Sequence, residues 1–399
     1  MSDSTAAPRE RTFDIVKGLC ILAVIFHHSS SYSARKHLDD HSGAWWATML
    51  LNRFSHLAVP IFLFVSALLL ARSVSKPGRI DWVRFYKRRT AGLVWPFVVW
   101  SVLYVLFRLY VTKTGADTGI VTRDWPLIGP IQGPNLIANP SSWVNILLWG
   151  KAYFHLYFMS VSLQLCLLFP LVIGVLKVRV PLGWFALLSV VLQAAWYLAQ
   201  REVVHFFAPA SLAFAYLVPI LVGAWLGYRW KEAPDVMAKA RVWAWLAAVA
   251  GVTTHLLLAV QLFRGGRIST ELYNGSFMVA SAALGWILVA EAPRWQERKW
   301  AAAMARVGDA SLALYLIHPM LLYGFGGNRA TALFRSMPFP PAFVFLALTF
   351  ASLLAVAAIV ALRLDHPLFG RRFAGFAAPR RPKNVEEPEG SKEPSGSDR

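Results

Sequence analysis

An all-α, multi-pass membrane protein is the fold class this sequence predicts, and three observations predict it. Of its 399 residues 57% are hydrophobic and only 15% charged, which is far too apolar for an ordinary soluble domain. Ten segments are apolar enough to cross a hydrocarbon core of about 30 Å, which takes roughly 20 residues. Lys and Arg crowd into alternate connections between those segments, as in a membrane chain oriented by its charges.

The ten expected spans are residues 13–30, 54–71, 90–111, 153–174, 182–199, 212–229, 242–262, 275–292, 309–327 and 342–362. The first follows a polar stretch, residues 1–12. It is interrupted by Lys17 and lacks a small-residue cleavage site, so it reads as a retained helix and not a signal peptide. The membrane domain runs over residues 13–368, with a basic and then disordered tail over 369–399, rich in Pro, Glu, Ser and Gly from about Ala378. The longest connection, Thr112–Ala152, is rich in Gly, Pro and Asn, and its length marks it as a candidate lid or acceptor-binding loop. No repeat of fixed period and no second soluble domain is evident.

About 27 of the Lys and Arg residues fall in one set of alternate connections and 11 in the other. The richer set includes the stretch from Arg72 to Arg89 and both ends of the chain, which predicts both termini in the cytoplasm. The formal net charge of +19 does not point to nucleic acid, because the basic residues sit in short loops and form no interleaved basic and aromatic surface. Membrane lipids are the expected partner of those loops. Cys20 and Cys166 lie inside apolar segments, where a thiol serves as a small hydrophobe, so they say nothing of redox compartment.

The first span carries the most telling residues. Lys17 and His28 are eleven positions apart, so on an α-helix they share one face about 16 Å apart along the axis. Asp14, one turn before Lys17, lies on nearly the same face, while His27 points about 100° away. Ionisable groups on an apolar helix are costly unless they line a cavity or meet partners, so the stripe is a candidate site. The plainer reading has Lys17 snorkelling or pairing with Asp14 and His28 bonding a neighbouring helix. A histidine kept neutral by an apolar site is able to act as a general base. Arg84, Lys87, Arg88 and Arg89 form a basic cluster suited to phosphate oxygens, or equally to topology and anionic lipid. His37 and His41, flanking Asp39 and Asp40, have the spacing of a helical metal pair, but with no third ligand nearby no metal site is assigned.

Five stretches in order make the sequence recognisable. They are Asp14-Ile15-Val16-Lys17-Gly18 with His28; Val59-Pro60-Ile61-Phe62 with Ser66; Phe85-Tyr86-Lys87-Arg88-Arg89 with Pro96; His155-Leu156-Tyr157-Phe158-Met159 with Gln164; and Gly308, Ser311, Tyr315, Leu316, His318 and Pro319. Together they resemble the signature of acyltransferase family 3, integral membrane acyltransferases whose first helix carries a basic residue, ten residues and a His. The resemblance extends to about Leu368. This chain departs from the usual pattern with Lys17 for Arg, Ala67 for Gly and Gln164 for Glu.

The resemblance implies an O-acyltransferase moving an acyl group, most simply acetyl, to a hydroxyl of a surface or exported carbohydrate or its lipid-linked precursor. The donor is acetyl-CoA or another short acyl-CoA such as succinyl, and no cofactor is permanently bound. On the matching positions His28, Lys17 and Asp14 are the expected catalytic group. Arg84, Lys87, Arg88 and Arg89 are expected to hold the donor, and His155, Gln164, Tyr315, His318 and Ser66 the substrate. The expected setting is the plasma (inner) membrane of a bacterium, with glycan-assembly proteins as partners. Intramembrane His, Lys and Asp also suit a proton-coupled transporter or polysaccharide exporter, against which stands the absence of evident paired broken helices or an inverted repeat. Nothing in the motifs excludes an acyltransferase for a small secreted metabolite or a lipid head group.

Overall fold

The computed structural model describes residues 11–75, 80–113, 140–206, 208–324, 328–371 and 373. Among the described residues the chain is helical, with no strand. It opens with α1 (Thr12–His37), α2 (Gly43–His56), α3 (Ala58–Val74), α4 (Trp82–Arg89) and α5 (Trp95–Lys113). Then come α6 (Pro140–Trp149), α7 (Tyr157–Leu176), α8 (Leu182–Ala199), α9 (Leu217–Tyr228), α10 (Ala233–Phe263) and α11 (Thr270–Trp295). The chain closes with α12 (Lys299–Asp309), α13 (Ser311–Gly324), α14 (Asn328–Arg335), α15 (Pro340–Ala361) and α16 (Asp365–Phe369).

Eight stretches among the described residues are long and apolar enough to span a membrane, against the ten expected. The two exceptions coincide with the expected spans 212–229 and 309–327, where the apolar helices are Ala213–Tyr228 and Ser311–Gly324. At 1.5 Å per residue the 14 residues of α13 rise only about 21 Å, short of the hydrocarbon thickness. The helical path breaks at Ala310, so α12 and α13 form an interrupted pair, a feature not evident in the sequence pattern. The first turn of the other short segment is a 3₁₀ helix, Ala213–Tyr216. The expected lid over 112–152 falls largely on residues outside those described, although its end is the ordered helix α6.

Helices α1, α3, α9 and α11 pack around the centre, while α8, α10 and α15 turn large apolar side chains such as Trp184, Leu187, Trp243, Leu257, Leu346 and Phe350 outward. Those outward faces suit lipid, which is as apolar as they are; helix association in a bilayer therefore depends on close packing and not on escape from water. Glycine supplies it at two seams. Gly223 and Gly227, one helical turn apart on α9, leave no room for a Cβ against the Phe64 and Leu68 backbone of α3. Gly308 on α12 and Gly18 on α1 do the same, Gly308 facing the Asp14 carbonyl and Gly18 the Met304 carbonyl.

Replacing Gly308 by Val should force α12 from α1, costing on the order of 1–3 kcal/mol as overpacking. The melting temperature in detergent should fall accordingly. Gly174→Ala, whose Cβ meets open space, should leave it unchanged and serves as the control.

Candidate active site

A cavity of about 490 Å³ lies where α1, α3, the α4–α5 junction, α7, α13 and the segment after α16 converge. Its cationic lining is Lys17, Arg88, Arg89 and Arg371; Ser66, Ser162, Ser311 and Tyr315 add hydroxyls, and apolar side chains from α3 and α7 form most of the rest. The face that α3 presents follows from helical spacing, since Val59, Phe62, Ser66, Leu69 and Leu70 recur at three- and four-residue steps. On α13, Ser311 and Tyr315 are four residues apart and His318 three further on, so all three share one face.

Two of these cations, Lys17 and Arg89, have partners that position them. Lys17 Nζ pairs with Asp14 at 2.6 Å, with both side chains mostly shielded. The Arg89 guanidinium lies over the Phe85 ring at 5.6 Å from its centre, and that ring stacks on Phe169 at 5.7 Å. Between α4 and α5 the helix widens into a π turn, Thr90–Val94, and Gly92 of that turn faces the cavity. Arg84 and Lys87 also belong to α4 but do not line the cavity, so the expected donor cluster divides into two residues that face it and two that do not.

The expected histidines gather beside the cavity and not in its wall. His28 stacks on His318 with ring centres 5.3 Å apart and touches Phe154 at 4.9 Å. His155 lies 6.0 Å from His318 and 5.2 Å from Tyr315. Tyr315 joins the two regions: it lines the cavity, and its hydroxyl donates a hydrogen bond to the His155 carbonyl. His318 Nδ1–H donates to the Leu314 carbonyl at 2.9 Å, which leaves Nε2 as the acceptor nitrogen. That Nε2 and both ring nitrogens of His155 are buried without a hydrogen-bond partner among the described residues. Buried imidazoles are ordinarily bonded, and the two rings that carry these three nitrogens lie 6.0 Å apart.

The short connection before α7 sets His155. Arg108 Nη1 donates to the carbonyls of Lys151 and Ala152 at 3.3 and 3.2 Å, and Tyr104 stacks on Tyr153 at 4.7 Å. Burial lowers the Lys151 ammonium below the usual lysine range. Gly150 turns the chain with φ of +62°, and a Cβ there would meet Leu156 O and the Tyr157 backbone at 2.6 Å.

Gln164, expected at the substrate, is engaged with backbone groups. Its amide nitrogen donates to the Ser211 carbonyl at 2.7 Å and its oxygen accepts from Ala213 N at 2.9 Å, so it ties α7 to the 3₁₀ turns before α9 and lies outside the cavity lining. His37 and His41 are not brought together: His37 packs on Tyr32 and Phe334, and His41 on Trp45 and Trp46. Among the described residues no three His, Cys, Asp or Glu side chains are grouped to hold a metal ion. The sequence reasoning did not reach Arg371, which it left in the tail, or the ring series that continues from His28 through His27 to His56, stacked at 4.5 Å.

Gly150→Ala is expected to strain this turn by about 1–3 kcal/mol and to shift His155. Hydrogen exchange should then show faster opening of residues 150–158, with α9 and α3 unaffected.

The family model described as an acyltransferase domain matches residues 10–361, most of the chain. No curated relative and no solved structure matches it. The match takes in Lys17, the π turn, all three histidine-bearing stretches and the α12–α13 break, and on that extent the chain belongs to acyltransferase family 3, the membrane acyltransferases.

Proposed function

We propose that this acyltransferase moves an acyl group, most simply acetyl, from acyl-CoA to a hydroxyl of a cell-surface or exported carbohydrate or its lipid-linked precursor. It would do so in the inner membrane of a bacterium, with both termini in the cytoplasm. The observation that carries the reading is one cavity whose cations, Lys17, Arg88 and Arg89, lead by way of Tyr315 to the cluster of His28, His155 and His318. A coenzyme A thioester has the matching form, phosphates at one end and a reactive carbonyl at the end of a long arm. Arginine forks grip phosphate oxygens in pairs, and the apolar wall accommodates the arm.

In this reading His28 takes the acceptor hydroxyl proton as the alcohol oxygen attacks the thioester carbonyl carbon. The carbon–sulfur bond breaks, the acyl group stays on the acceptor oxygen, and the coenzyme A thiolate takes up a proton on leaving. His155 and His318 hold the reacting oxygens with their unpartnered ring nitrogens. Lys17, about 16 Å along α1 from His28, orients the donor's distal part and does not reach the carbonyl. Asp14 acts by holding Lys17. Ser66 and Tyr315 line the path of the arm.

The test uses the full chain in nanodiscs with labelled acetyl-CoA and candidate glycan acceptors. His28→Ala should lower transfer by about 10²-fold or more while leaving coenzyme A affinity near the wild-type value, because His28 does not line the cavity. Arg88→Ala should do the opposite, weakening donor binding about tenfold with less effect on the maximal rate. If neither acetyl- nor succinyl-CoA binds or reacts, the donor assignment fails.

A further inference from the structure

Residues 365–371 and Phe373 lie just past the stretch matched to the family, and they are built into the bundle. Two indoles of α5 hold their backbone: Trp95 Nε1 donates to the Pro367 carbonyl at 2.7 Å and Trp100 Nε1 to the Leu368 carbonyl at 2.9 Å. Phe369 is buried against Trp100 with rings stacked at 5.8 Å, and Phe373 is buried against Phe369. Between these two anchors the chain turns at Gly370, with φ of +68°. Gly370 and Arg371 thereby become part of the cavity wall that also carries Lys17, Arg88 and Arg89. Arg371 Nη2 donates to the Asp309 carbonyl at 2.6 Å, and its guanidinium lies 4.9 Å from the Phe373 ring centre. Two elements far apart in sequence thus direct one cation to a fixed position.

Resting on the acyl-CoA reading above, we propose that Arg371 is a donor-binding residue, and that the strap 365–371 forms part of the site by carrying it to the phosphate-bearing end of the donor. Attachment to the Asp309 carbonyl sets the plane of the fork, which is the geometry that phosphate oxygens require. Asp309 adjoins the Ala310 break, so the strap also braces the α12–α13 junction that orients Ser311 and Tyr315.

Calorimetric titration of the full chain in nanodiscs with coenzyme A, and with pantetheine as the phosphate-free fragment, tests this. Arg371→Ala should weaken coenzyme A about tenfold and leave pantetheine within about twofold. Arg371→Lys should restore part of the loss, since the charge returns without the fork. Trp100→Phe, which keeps the ring stack but removes the bond to Leu368, should weaken coenzyme A by a smaller factor. Wild-type affinity for coenzyme A in Arg371→Ala overturns the proposal, and so does an equal loss of both ligands, which would mean that the strap is only structural. A wild-type chain that binds pantetheine but gains nothing from the phosphates also overturns it. A wild-type chain that binds neither ligand removes the acyl-CoA reading itself, so the two failures are distinct.

Discussion

An ammonium group placed within an apolar helix has to be met by a counter-charge or by water, and the way Lys17 is met organises this protein. Asp14 lies one turn away and pairs with it directly. On a neighbouring face of α1, Gly308 with Gly18 allows α12 to approach backbone to backbone. Because α12 is held there, the break at Ala310 has a set position, and α13 departs with Ser311 and Tyr315 facing the cavity and His318 facing His28. One glycine seam beside the Lys17–Asp14 pair thereby sets where α13 begins relative to α1.

The site has two regions of different chemistry. One is cationic, drawn from α1, the α4–α5 junction and the strap after α16. The other is a group of imidazoles, drawn from α1, the connection before α7, and α13. Tyr315 touches both, and its hydroxyl is committed to the His155 carbonyl, so it couples the position of one region to the other. Such a division suits a long substrate whose charged end is recognised far from its reacting end. Binding energy from the remote end is then available to position the reactive one.

Much of this was legible in the residues, for physical reasons. Lys17, Asp14 and His28 stood out because ionisable groups on an apolar helix require an explanation. Ser66, Arg88, Arg89, Tyr315, His155 and His318 came through the family resemblance and do converge, some in the cavity wall and some in the adjoining cluster. Gln164 did not, because an amide at that position looks alike whether it meets a substrate or the Ser211 and Ala213 backbone. Arg84 and Lys87 share a charge with Arg88 and Arg89 but not a direction, and direction on a short helix running into a π turn is not visible in a string of basic residues.

What the sequence by itself determined is the class of protein: its apolar segments and low charge commit the chain to helices in a membrane, since only helices satisfy every backbone group of a segment internally. It also determined the chemistry at hand, by supplying imidazoles, guanidiniums and one ammonium where hydrocarbon would otherwise prevail. Only the tertiary structure decided which of those groups share a space. The approach of Gly308 to α1 and the return of residues 365–371 to α5 both depend on contacts between segments far apart in the chain. Arg371 shows the reason most clearly: it is directed by the Asp309 carbonyl 62 positions earlier and by a segment that two indoles of α5 hold, the bond from Trp100 to Leu368 spanning 268 residues.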